Sequence, residues 1–215
     1  MAIKAAIFDL DGTLIDSLGV WGEIDVKFLA KRGLEVSPDY ADKISAMRFE
    51  DAARYTKERY GFSDTVEEIL REWNELALRE YSNNIKLKPF ALGYLRKLRE
   101  NGYILAVATT LIELLYTPVL KNNGIYEFFD FICSTDDIEK SKEHPDIYHH
   151  AAKNLGVSPE ECVVFEDVYP AIQSAKAAGM TVYAVYDKYS EKYIDEIKEL
   201  SDGIIYDFKD APTTF

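Results

Sequence analysis

Ile-Lys-Ala-Ala-Ile-Phe-Asp-Leu-Asp-Gly-Thr-Leu, residues 3–14, opens the chain with a short apolar run that stops at a carboxylate. Residues 3–8 predict a strand ending at Asp9. From Asp16 to about Ile85 no second strand is predicted. Trp21–Leu29, Ala52–Tyr60 and the series Val66, Ile69, Leu70, Trp73, Leu76, Ala77 carry helical spacing, and Ser37-Pro38 puts a proline in the first turn of another helix. After Pro89 the pattern changes. Predicted strands at Tyr103–Ala108, Phe131–Cys133, Cys162–Phe165, Thr181–Val185 and Ile204–Tyr206 alternate with predicted helices. The helices are read over Phe90–Glu100, Leu111–Asn123, Pro145–Leu155, Ala171–Ala178 and Ser190–Leu200. That alternation predicts an α/β fold: a doubly wound, mainly parallel, Rossmann-like sheet with helices on both faces. A lone strand cannot stand beside an all-helical block, so residues 3–8 belong with the later strands and the block is an insertion. The expected division is a Rossmann-like core domain of 1–16 and 87–215 carrying an inserted α-helical cap domain of 17–86.

Composition narrows the class of function. The 215 residues are 47% hydrophobic and 29% charged, which fits a globular chain with a large core rather than a disordered one. Formal net charge is −13. Such a surface repels nucleic acid, and no basic stripe offsets it. Phosphorylated small molecules are repelled as well, so a phosphate site would have to be built locally from a metal ion, a lysine or backbone N–H groups. Cys133 and Cys162 each lie in an apolar run, which predicts buried reduced thiols. No window reaches the ~18 apolar residues of a membrane span and no signal peptide is read, so the expected compartment is the cytoplasm. Oligomeric state is not legible.

In an open parallel sheet, chemistry gathers at the C-terminal ends of the strands. The first strand runs into Asp9-Leu10-Asp11-Gly12-Thr13, the second into Thr109-Thr110, and the fourth into Glu166-Asp167. Between the third and fourth lies Lys140-Ser141-Lys142-Glu143-His144-Pro145-Asp146. Carboxylates crowded together repel one another unless a hard cation sits among them, and Mg²⁺ takes a few such oxygens plus substrate phosphate. Asp9 and Asp11 stand two apart where Gly12 lets the chain turn, so one can attack phosphorus while the other protonates the departing oxygen. Thr109 and its neighbouring amides can hold phosphoryl oxygens, Thr110 is a second candidate there, and Lys142 can offset negative charge.

Phe-Asp-Leu-Asp-Gly-Thr-Leu (8–14) resembles the first motif of the haloacid dehalogenase superfamily, and Thr109, Lys142 and Glu166-Asp167 follow in the order of its later motifs. The tract Val163–Met180 is similar to the branch containing β-phosphoglucomutase and phosphoglycolate phosphatase, whose helical cap matches the inserted block. The resemblance implies that Asp9 is a nucleophile forming an aspartyl-phosphate and that Asp11 is the general acid and then base, its backbone carbonyl on the metal. It implies further that Asp167 binds Mg²⁺ directly, with Glu166 direct or through water. The sequence departs from the usual pattern at Ser141-Lys142-Glu143, Val168 and Ala171. Trp21 stands where the mutase has a histidine, which favours hydrolysis of a small phosphate monoester, a sugar phosphate or similar metabolite, over phosphoryl return to sugar. The mutase and a non-catalytic phosphometabolite-binding protein are the alternatives.

Each candidate also has an ordinary explanation. Asp and Gly form turns, Thr109 can simply cap a helix, and Lys142 lies in a charged run where Lys140 is its rival. His144, His149 and His150 give no ligand spacing and read as surface or packing residues. Trp21 and Trp73 read first as core. Arg48 is a candidate for a substrate's distal group.

Overall fold

The computed structural model describes residues 2–45, 47, 49–138 and 140–215, and it divides into two compact units, Met1–Leu18 with Ile85–Phe215 and Gly19–Asn84. In the first unit β1 spans Ala5–Phe8. The second unit holds helices α1 (Val20–Ala30), α2 (Pro38–Ser45), α3 (Phe49–Tyr60) and α4 (Val66–Asn83). The chain then returns to the first unit through α5 (Ala91–Glu100), β2 (Ile104–Thr109), α6 (Glu113–Asn122), β3 (Phe131–Ser134), α7 (Asp146–Leu155), β4 (Cys162–Glu166), α8 (Tyr169–Ala177), β5 (Thr181–Val185), α9 (Ile194–Leu200) and β6 (Gly203–Ile205).

All pairings in the six-stranded sheet are parallel, in the order β3-β2-β1-β4-β5-β6. The strand made by the opening residues is therefore central, and the winding reverses between β1 and β4. This is where an open α/β sheet leaves a crevice beyond its strand ends. Near-continuous apolar runs make these strands because both faces are covered. Ala5 and Ile7 turn to one face, where Ala106, Ala108, Val164 and Ala184 pack with Ile147, Tyr148 and Ala151 of α7 and Ile172 and Ala175 of α8. Small residues there let helices come close. Phe8 turns to the other face and stacks on Phe165 at 4.5 Å, with Tyr94 of α5 edge-on to both rings.

The helical unit has its own core of Ile24, Phe28, Ile69, Trp73, Ala77 and Tyr81, with Phe28 and Trp73 in edge contact at 5.6 Å. Helix α4 starts at a capping box: Glu68 N donates to Thr65 Oγ1 (3.2 Å) and Thr65 N to Glu68 Oε2 (2.7 Å). Arg32 closes that end, bonded to Asp64 and Glu72 with its guanidinium over the Phe28 ring. Pro38 is the first residue of α2, as its missing N–H allows.

Two predicted helices start two or more residues later than read. The one read as Leu111–Asn123 begins at Glu113, because residues 110–112 form a turn off β2. The one read as Ser190–Leu200 divides into a 3₁₀ segment, Lys188–Tyr193, and α9. Asp187 starts that segment by accepting from Tyr189 N, which tightens the first turn. Cys133 and Cys162 are free and buried, and burial pushes both thiols up to about 12. No helix among the described residues is long and apolar enough to cross a membrane.

Candidate active site

Asp9 is the first residue beyond β1, and its N–H continues the ladder to Phe165 O at 3.0 Å. The chain then curls tightly. Leu10 O accepts from the amides of Thr13, Leu14 and Ile15 at 3.0–3.1 Å, while Gly12 sits at φ 82° and donates to Ile15 O. A side chain at Gly12 would be strained at that φ and would overlap the Asp167 carboxylate. The glycine is thus required twice over. Thr13 Oγ1 donates to Asp167 Oδ1 at 3.0 Å, tying the curl to the end of β4, and Ser17 Oγ donates to Asp11 Oδ1.

Glu166, the last residue of β4, has both carboxylate oxygens engaged. Oε2 accepts from Asp167 N (2.6 Å) and Val168 N (3.1 Å), and Oε1 meets Lys142 Nζ at 2.7 Å. The same ammonium lies 2.5 Å from Asp9 Oδ1. Lys142, Asp9, Glu166 and Asp167 are all buried. Burial pushes the Asp9 carboxyl up to about 7, against the pull of Lys142. Asp167 is raised by burial and then by Glu166 and Asp9. For Lys142 burial works to discharge the ammonium, but Asp9 and Glu166 outweigh it and hold its pKa above the ordinary value.

Carboxylate oxygens of Asp9, Glu166 and Asp167 lie within 4.8 Å of one another. Three buried carboxylates face one lysine, so the cluster is short of positive charge. Asp167 Oδ2 is buried with no hydrogen-bond partner. Hard oxygen donors, a charge deficit and an orphaned carboxylate oxygen are what a divalent cation such as Mg²⁺ requires. The residues fit the ion.

The structure thus brings together Asp9, Lys142, Glu166 and Asp167, with Asp11 half-buried on the same curl. Lys140, the rival lysine, pairs instead with Asp146 at 3.0 Å on the surface. Thr109 is buried at the end of β2, where its Oγ1 accepts from Leu111 N at 3.1 Å, and Thr110 is exposed. Arg48 lies outside the described residues. No histidine belongs to the group that could hold a metal ion among the described residues. Trp21 packs on Phe49 (5.4 Å) and Tyr81 (6.5 Å) within the helical unit.

Sequence reasoning missed Thr13, Ser17 and Tyr148. The first two serve the carboxylates through hydroxyls inside a motif read only for its acids. Tyr148, fully buried on the sheet side of α7, sets its ring 5.9 Å from the Lys142 ammonium. Its place in the first turn of a helix opening just after Lys142 was the available signal.

Residues 6–185 match the family model described as haloacid dehalogenase-like hydrolase. The chain belongs to the haloacid dehalogenase-like hydrolases. It is 34% identical over 183 residues to a bifunctional riboflavin kinase/FMN phosphatase of Arabidopsis thaliana, covering 85% of this chain but 48% of that protein. The chain therefore spans about half the length of that relative. A phosphorylated carbohydrates phosphatase of Thermotoga maritima is 26% identical, over 85% of each chain. The CbbY structure from Rhodobacter sphaeroides in complex with phosphate superposes with a TM-score of 0.79 at 23% identity, covering 97% of this chain and 96% of that one, and so shares the haloacid dehalogenase-like fold.

Proposed function

We propose that this hydrolase is a Mg²⁺-dependent phosphatase that cleaves a small phosphate monoester, a sugar phosphate or similar metabolite, through an aspartyl-phosphate on Asp9. The observation that carries the reading is the meeting of Asp9, Lys142, Glu166 and Asp167 at the switch between β1 and β4. The curl after β1 holds Asp9 at the crevice with its backbone already committed to the ladder, so its carboxylate is fixed rather than searching. Lys142 keeps that carboxylate's charge compensated in a buried site and can follow it onto the phosphoryl oxygens. A Mg²⁺ ion held by Asp9, the Asp11 carbonyl and Asp167, with Glu166 behind them, would neutralise the substrate's phosphate and polarise it for attack. Asp11, steadied by Ser17, is the group that protonates the leaving alcohol and then takes a proton from the attacking water. Thr109 at the end of β2, with Thr110 beside it, holds phosphoryl oxygens, and Arg48 is proposed to contact the substrate's distal end.

Hydrolysis is favoured over phosphoryl return to sugar by Trp21, whose ring is committed to aromatic packing and carries no acid or base for a sugar hydroxyl. The relatives' names support the choice of small phosphorylated metabolites.

The test replaces Asp9 by Asn, removing the nucleophile with little change in volume. Against a panel of hexose, pentose and nucleoside monophosphates, wild type should release phosphate only with Mg²⁺, and Asp9→Asn should lose on the order of 10³-fold or more with its circular dichroism unchanged. Phosphate release by the variant near the wild-type rate would remove Asp9 from the mechanism. Isomerised hexose phosphate without free phosphate would establish the mutase instead.

A further inference from the structure

A second lysine stands at the end of the sheet where β4 delivers Glu166 and Asp167. Residues 86–88 run along the curl that follows β1: Asp16 N donates to Lys86 O (2.9 Å), Leu87 bridges Ile15, and Lys88 N donates to Leu14 O (2.9 Å). The backbone of Lys88 is thereby fixed beside the curl that follows β1. Its ammonium is fixed beyond β5, at Asp187 Oδ2 (2.9 Å) and Tyr186 O (3.2 Å). Between β1 and β5 the sheet has one strand, β4, and the residues leaving β4 are Glu166 and Asp167. The Lys88–Asp187 pair therefore lies at the same end of the sheet as these carboxylates, between the curl after β1 and the end of β5. Both partners are largely withdrawn from solvent, at 14% and 11% side-chain exposure, so water screens the pair poorly. Asp187 is itself held by the Tyr189 amide on its other oxygen, at 3.1 Å. The positive charge of Lys88 also reaches the Asp167 carboxylate, where it acts against the raising effects of burial, Glu166 and Asp9.

We propose that Lys88 and Asp187 form an electrostatic strut at this end of the sheet that sets how tightly the Asp9–Glu166–Asp167 cluster holds its divalent cation. This rests on the reading that the cluster is a cation site. Lys88 opposes the incoming cation, and Asp187 offsets Lys88. Neither residue touches the reacting atoms, so both are positioning residues. The strut would keep the cluster from trapping a cation so tightly that phosphate esters gain nothing from it.

A purely mechanical strut and an electrostatic one predict different signs. If the pair only braces the loop after β5, losing either end loosens the site and weakens the cation. If charge governs, Lys88→Met leaves Asp187 as added negative potential and tightens the cation, whereas Asp187→Asn leaves Lys88 unopposed and weakens it. The double variant restores the net charge and returns close to wild type. Each single change should move Kd about three- to tenfold.

The experiment is titration of the full chain with Mn²⁺, followed by calorimetry and by the loss of the free-ion spin-resonance signal, with Mg²⁺ as competitor. Wild type, Lys88→Met, Lys88→Arg, Asp187→Asn, the double variant and Asp167→Asn are compared, and melting temperatures identify any variant that has not folded. Expected are opposite shifts for the two single variants, near-cancellation in the double variant, and wild-type affinity for Lys88→Arg. Shifts of the same sign, or none, overturn the strut while Asp167→Asn still weakens binding. If wild type takes up no stoichiometric ion, or Asp167→Asn binds as well as wild type, the cation site itself falls and the strut falls with it.

Discussion

Phe90, at the N-terminus of α5, stands in the left-handed region with φ 62° and ψ −1°, and its ring is 59% exposed. It is the only non-glycine residue at positive φ among the described residues. The conformation is imposed by the joint: Pro89 fixes the entry and Tyr94 N already draws on Phe90 O for the first turn of the helix. A β-carbon there costs about 1–2 kcal/mol, and an exposed ring returns little of it. Phe90→Gly should therefore stabilise the protein by roughly 0.5–1 kcal/mol, the relieved strain less the glycine's greater freedom when unfolded. Phe90→Ala keeps the strain and should give no gain. Urea midpoints of the two variants decide the matter, and a lower midpoint for the glycine variant would show that the ring contributes more than its exposure suggests. At this scale the acids were legible in the chain because strand ends are legible. Phe90 was not, since a left-handed φ at a bulky residue is a property of the turn's closure and leaves no mark in residue type.

Helix α1 carries a carboxyl at Asp25 that faces Tyr40 of α2, and beyond Tyr40 lies Thr56 of α3. Each hydroxyl has one proton. Thr56 Oγ1 donates to Ala52 O at 2.7 Å, so it can only accept from Tyr40, 2.9 Å away. The Tyr40 hydroxyl has that one proton for both Thr56 and Asp25, so it favours the Asp25 carboxylate less than burial disfavours it. Burial pushes Asp25 up to about 6, with Tyr40 opposing it. The sign follows from linkage. Below the unfolded value near 3.8 both states hold the proton; from there to about 6 the folded state keeps it while the unfolded chain releases it, so stability falls as pH rises. Asp25→Asn, which cannot ionise, should escape that loss. It should exceed wild type by about 1 kcal/mol at pH 7.5, after allowance for partial exposure, with the difference narrowing as pH falls and closing only below the unfolded value near 3.8. Thermal melts of both proteins across this range measure it, and parallel curves would mean that Asp25 titrates normally. The helices themselves were legible from apolar spacing and from Ser37-Pro38. Hydroxyl relays between helices were not, because periodicity states which face is buried and says nothing of polar partners within it.

Across the whole molecule the governing quantity is charge: −13 overall, with three buried carboxylates gathered where the winding of the sheet reverses. The α/β class and the strand-end acids were readable from alternation and order. The lysine–aspartate pair at the same end of the sheet was not, since Lys88 and Asp187 are 99 residues apart and meet only through the strand order β1-β4-β5 that the folded sheet supplies. The same accumulation of charge dictates how the protein should respond to losing its cation. An ion that binds the folded chain alone stabilises it by RT ln(1 + [L]/Kd), about 1.4 kcal/mol at ten times Kd and about 2.7 at a hundred times. For a chain of this size each kcal/mol moves the melting temperature by about 2–4 °C, so saturating Mg²⁺ should raise it by roughly 5–10 °C over a chelator-treated sample. Divalent salt also screens the acidic surface in general, and sodium chloride at matched ionic strength reproduces that part. The remainder belongs to the site, and Asp167→Asn should abolish it while leaving the screening part intact. Without the cation that variant should melt higher than wild type, because it relieves the repulsion among Asp9, Glu166 and Asp167. The two melting curves should therefore cross as Mg²⁺ is added. A variant that stays below wild type at every Mg²⁺ concentration would mean that Asp167 braces the fold through Thr13 rather than waiting for a metal.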